Sequence, residues 1–160
     1  MNEAHFHMIV NHFPIIGTIF GFIIIITGIV LKNNTLKNTA YSLFIISALF
    51  AFASMATGDG AEEMVVKMPT IGEKIIHEHE EIAEKLALVL YLLGIISILG
   101  IFLNVKNHAK SNLVSYLAVT IAAVGVLIAI ETGTSGGAIR HTEIRDSEEI
   151  VMPITSEKPI

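Results

Sequence analysis

The chain has no cysteine and no tryptophan. Without cysteine there is no disulfide, no iron–sulfur cluster, no thiolate ligand for haem and no Cys-type zinc site. Without tryptophan the indole part of an interfacial aromatic belt is missing. Charge is scarce too: Asp, Glu, Lys and Arg make up 16% of the residues, against 52% hydrophobic, and mean hydropathy is +0.68. The sequence shows no basic patch for nucleic acid, no phosphate-cradling loop and no nucleophile with a positioned base. Enzymatic activity is therefore left open only through a metal site. At 160 residues, such a chain reads as one small integral membrane domain and not as a soluble globule.

What the chain does have is four uncharged apolar runs, Ala4–Leu31, Asn38–Gly58, Leu86–Val105 and Ser111–Ile130. Each is long enough to cross a hydrocarbon core of ~30 Å at ~1.5 Å per helical residue. The expected fold is all-α: an antiparallel four-helix membrane bundle with spans near 8–31, 38–58, 84–105 and 111–131. An outer loop covers 59–83 and an outer tail 132–160, with the third helix extended beyond the lipid. The short linkers carry Lys32, Lys37, Lys106 and Lys110 and no acid, while all 15 acidic residues fall on the opposite side. The positive-inside rule then puts the linkers in the cytoplasm and both termini outside, as expected of a bacterial cytoplasmic-membrane protein. The first run is too long for a signal peptide and lacks a basic n-region, so it is expected to stay in the mature chain.

Histidine follows the same division. His5, His7, His12, His77, His79 and His141 share the acidic end, and only His108 lies at the other. His5 and His12 are seven apart, on one helix face and separated by ~10 Å along the axis; His7 lies on a different face. A new helix is expected to start near Pro69 or Thr70 and run into the third span with the apolar stripe Ile75, Ile76, Ile82, Ala83, Leu86 and Leu90. His79 falls within that stripe; His77 shares a face with Glu73, Glu81 and Glu84 and points outward. The segment Thr132–Gly137 either breaks the fourth helix or brings it close to a neighbour. After Asp146 the acidic tail reads as a strap without chemistry.

Three readings compete. In the first, two imidazoles from facing helices bind a b-type haem for electron transfer, chosen from His5, His12, His79 and His141, with Arg140 for a propionate. His12 and His79 are the leading pair; their offset of ~10 Å counts against them, which a His5–His79 pair answers. In the second, His7, Asp59, Glu63, Glu80 and Glu131 contribute to a non-haem site for copper, zinc or iron. In the third, a polar vestibule without cofactor docks a partner or senses pH. The expected surroundings are a lipid bilayer and an extracytoplasmic redox protein, with homo-oligomerisation left open.

Four blocks carry a resemblance: His5-Phe6-His7-Met8-Ile9-Val10-Asn11-His12-Phe13-Pro14, Thr57-Gly58-Asp59-Gly60-Ala61-Glu62, His79-Glu80-Glu81-Ile82-Ala83 and Gly136-Gly137-Ala138-Ile139-Arg140-His141-Thr142-Glu143-Ile144. Over nearly its whole length the chain resembles a group of bacterial four-helix membrane proteins of uncharacterised role. More distantly it resembles a domain-of-unknown-function family with a His-Phe-Pro first helix, sometimes fused to cytochrome c or Rieske modules. The resemblance implies redox work by association. It singles out His5, His7, His12, His79, Glu80, Arg140 and His141.

Overall fold

Lipid offers a backbone amide no hydrogen-bond partner, so an apolar span must satisfy its own N–H and C=O groups, as a helix does. The computed structural model describes residues 2–67 and 71–145. In chain order the helices are α1 (Glu3–Val10), α2 (His12–Val30), α3 (Asn34–Met55), α4 (Gly58–Val65), α5 (Glu73–Val105) and α6 (Ser111–Arg140), followed by a 3₁₀ turn, Thr142–Ile144. Four stretches are long and apolar enough to cross a membrane: Glu3–Val30, Asn34–Met55, Glu73–Val105 and Ser111–Arg140. Helix α2 packs on α3, α3 on α5, α5 on α6 and α6 on α2, closing a four-helix ring. Phe20, Ile23, Leu49, Phe52, Leu88, Ile95 and Leu127 stand exposed around it, the arrangement of a bundle whose outer solvent is lipid.

Small residues set how closely the helices approach. A side chain on Gly21 would collide with the Phe44 ring, and one on Gly100 with the Tyr41 ring. Both aromatic rings are fully buried, with Ile25, Leu90 and Leu93. The first span is broken at Asn11. Pro14 has no N–H for the carbonyl four residues earlier, and its ring crowds that carbonyl. Asn11 keeps helical dihedrals (φ −69°, ψ −20°), so the helical repeat carries through into α1, which packs against α4 and α3. The end of the bundle carrying α1 and α4 is the loop end, and the opposite end is the linker end.

The two linkers use one device. Lys32 N–H donates to Ile29 O and Asn33 N–H to Gly28 O; Asn107 N–H donates to Asn104 O and His108 N–H to Leu103 O. Each is a Schellman closure with a left-handed residue after the helix, here Lys32 (φ 51°) and Asn107 (φ 48°). Asn33 then caps α3, its Oδ1 accepting from Thr35 N–H (2.9 Å) and Leu36 N–H (3.1 Å).

Two details depart from the sequence expectations. The region expected as loop contains α4, because Ala61, Glu62, Glu63 and Met64 are good helix formers and Asp59 sits in the favourable first turn. Helix α6 runs unbroken through Thr132–Gly137. There Thr132 and Thr134 donate to Ile128 O and Ile130 O, anchoring their hydroxyls to the preceding turn. Helix α5 begins at Glu73 after Gly72; the expected cap at Pro69 or Thr70, and the tail after Asp146, lie outside the described residues. The 33 residues of α5 span about 50 Å, well beyond a hydrocarbon core.

Lys32→Gly should stabilise the fold by about 1 kcal/mol, because lysine strains the left-handed position and glycine does not. Denaturant titration of the detergent-solubilised protein followed by circular dichroism measures it. An unchanged or lower midpoint contradicts the closure described.

Candidate histidine site at the loop end

Along the first span the buried face runs through Val10, Pro14, Thr18, Gly21, Ile25 and Gly28. Counting back by sevens from Gly28 through Gly21 and Pro14 leads to His7. That histidine is half-buried, while His5 and His12 are exposed. On α5 the buried residues Ile75, Ile76, Leu86, Leu90 and Leu93 mark the inward face, and His79 shares it, half-buried. The His7 and His79 rings are near enough to interact electrostatically. They come from different spans and both lie, half-buried, at the loop end.

Hydrogen bonding orients both rings. His7 Nδ1 lies 3.1 Å from Ser54 O and 3.2 Å from Thr57 Oγ1. A carbonyl only accepts, and the Thr57 hydroxyl donates to Ala53 O and Ser54 O, so His7 Nδ1–H is the donor. His79 Nδ1 lies 2.9 Å from Ser135 Oγ, whose proton goes to Thr132 O at 3.1 Å. In the tautomer in which Ser135 keeps its proton on Thr132 O, His79 Nδ1–H donates to Ser135. In the neutral rings both Nε2 atoms are left with a bare lone pair. Anchoring of one ring nitrogen by a protein acceptor is the usual second contact of a ligating histidine.

Small residues let these rings in. A Cβ on Gly136 would lie 3.0 Å from His79 Cε1, so glycine admits the imidazole against the backbone of α6. Ser54 and Thr57 do the same work at the end of α3. One turn beyond His7, at the α1–α2 break, Asn11 Oδ1 is buried without a hydrogen-bond partner among the described residues.

The remaining expected residues are placed elsewhere. His12 Nδ1 donates to Met8 O (2.9 Å) on the exposed face of the first span. His5 is exposed at the start of α1. His141 is exposed, with Nδ1 2.9 Å from Glu143 Oε1. His77 points outward as expected, 3.3 Å from Glu81. Asp59, Glu63, Glu131 and Arg140 are exposed, so the expected lower tier of His12, Asp59 and Glu131 is not gathered. The half-buried carboxyls of Glu80 and Glu62 interact, with Asp59 and His77 close by. Among the described residues no group of three or more His, Asp or Glu could hold a metal ion.

The hydrogen-bonding roles of Ser54, Thr57, Ser135 and Arg145 were not read from the sequence. Arg145 folds back on α6, donating from Nε to Ala138 O and from Nη2 to Ile139 O, both at 2.8 Å. The seven-residue spacing of His7 with Pro14, Gly21 and Gly28 was the readable signal for His7. The acceptor roles of the hydroxyls had no such signal.

No family model matches the chain, and no curated protein or solved structure matches it.

Carbethoxylation of the solubilised protein should modify His5, His12, His77 and His141 rapidly and His7 and His79 at least tenfold more slowly, at about the rate ratio of ~1.4 kcal/mol in accessibility. Peptide mass mapping reads the order. Equal rates for His7 and His5 contradict the inward orientation of His7.

Proposed function

We propose that the protein carries electrons in the membrane through one b-type haem held by His7 and His79 at the loop end. The carrying observation is two half-buried imidazoles from different spans, within electrostatic reach, each anchored to the protein through Nδ1, which turns Nε2 towards a ligand. Haem asks the protein for two axial nitrogens only. Zinc and iron sites without haem ask for three or more protein ligands, and the described residues gather no such group. The haem would supply one-electron chemistry. The chain's own part is to hold the rings: Ser54 and Thr57 on His7, Ser135 on His79, with Gly136 leaving room beside the imidazole. The expected pairings with His5, His12 or His141 are replaced in this proposal, because those side chains face outward.

A second reading rests on Asn11. Its buried, unpartnered Oδ1 needs a donor, and water on a metal ion is one. A copper ion on the two imidazoles with a water reaching Asn11 would satisfy it.

Oxidised and dithionite-reduced spectra of the purified protein decide between the two. The haem reading expects a Soret band that shifts on reduction and sharp α and β bands. His7→Ala and His79→Ala should each lose them, while His5→Ala, His12→Ala and His141→Ala keep them. A flat visible spectrum from cells supplied with haem overturns it. Stoichiometric copper, lost in the same two variants, then supports the second reading.

A further inference from the structure

By sequence Lys37 belongs to a linker, but the structure buries it: the residue is 4% exposed, in the first turn of α3. Its stem is clamped where α2 and α3 touch. A Cβ on Gly28 would lie 3.0 Å from Lys37 Cγ and 2.9 Å from its backbone nitrogen. The ammonium reaches across to α6, where its only hydrogen bond among the described residues is to Oδ1 of Asn112, itself an exposed residue, at 2.9 Å. It has no ion pair among them either. A buried ammonium with three donors, one neutral acceptor and no counter-charge is an unfinished arrangement.

The surroundings name the missing partner's sign. Asn112 sits in the first turn of α6, whose N-cap, Lys110, makes no side-chain cap. By contrast Asn33 caps α3 with two bonds. His108 takes the Ser111 and Lys110 N–H groups, so α6 presents the open N–H groups of Asn112 and Leu113 and the positive end of its dipole beside the Lys37 side chain. Lys32, Lys106 and Lys110 lie exposed at the same end. The adjacent Asn38–Asn104 bond (2.9 Å) fastens α3 to α5 and supplies no charge.

We infer that the linker end holds a phosphate-type oxyanion between the Lys37 ammonium and the first turn of α6, supplied by an anionic phospholipid headgroup at the bilayer surface. An oxyanion there accepts from the unused Lys37 donors and the open α6 amides, neutralising a charge without an ion pair among the described residues. The site lies at the opposite end of the bundle from the histidine pair and is independent of it.

The test is thermal unfolding of the full chain in detergent, followed by circular dichroism, with added phosphatidylglycerol, phosphatidylcholine or inorganic phosphate. Phosphatidylglycerol should raise the midpoint of the parent and phosphatidylcholine should not. Binding by Lys37→Met should be roughly tenfold weaker, the change expected for one charge-assisted hydrogen bond, while Lys106→Gln should bind as the parent does. Asn112→Asp places a carboxylate where the amide oxygen now meets Lys37, so it should fold and lose the phosphatidylglycerol response. It keeps the test decisive if Lys37→Met fails to fold. Stabilisation by inorganic phosphate but not by phosphatidylglycerol would retain the site and overturn its lipid source. Equal losses in Lys37→Met and Lys106→Gln, or an undiminished response in Asn112→Asp, would overturn the site itself.

Discussion

Close contact between α2 and α3 fixes how the first span is turned in the bundle. Gly21 lies under the Phe44 ring and Gly28 against Lys37, so one face of that span has only one way to pack. Lipid tails are as apolar as the core, and hydrophobicity alone cannot orient a span; close packing of small residues can. Once that face is turned inward, Pro14 and His7 turn with it by the helical repeat. His5 and His12 are turned out by the same rotation. Three histidines of one span are thereby divided, His7 inward and His5 and His12 outward.

The two ends of the bundle solve opposite electrostatic problems. At the loop end, α4 and the projecting part of α5 bring acidic side chains together, and Glu80 meets Glu62. The half-buried imidazoles beneath are held by neutral acceptors: a carbonyl and two hydroxyls. That choice keeps their free nitrogens available to a ligand without fixing a charge in the interior. At the linker end the chain buries a cation instead and gives it only an amide oxygen among the described residues. Neutral bonds, Tyr41 to Ser115 and Asn104 to Asn38, join α3 to its neighbours there.

The hydroxyls of the spans illustrate how polar groups are tolerated in such a core. Thr18, Ser97, Ser115 and Thr132 donate to carbonyls four residues back on their own helix. Each donor is thereby satisfied on its own helix, and Ser115 still accepts from Tyr41 OH, which leaves the helices free to pack through small side chains. Ser135 differs: its hydroxyl lies within hydrogen-bond distance of both Thr132 O and His79 Nδ1. A residue of the same type, one turn further along, has become part of a site.

The helical class, the four spans, the antiparallel linkers and the inward position of His79 were all legible in the sequence. Length, apolar runs and periodicity are local properties, and backbone hydrogen bonding in lipid leaves helices as the only reading of them. Periodicity also states which residues share a face, but not which of two faces turns inward. His5 with His12, and His7 with Pro14, are equally regular sets. Tertiary packing decided between them, through the contact of Gly21 and Gly28 with α3. It likewise decided that Ser54, Thr57 and Ser135 would serve the histidines and that a lysine beside a linker would be buried. These depend on residues of different helices meeting at one height, and that meeting is set by the rotation and tilt of packed helices, not by spacing along one chain.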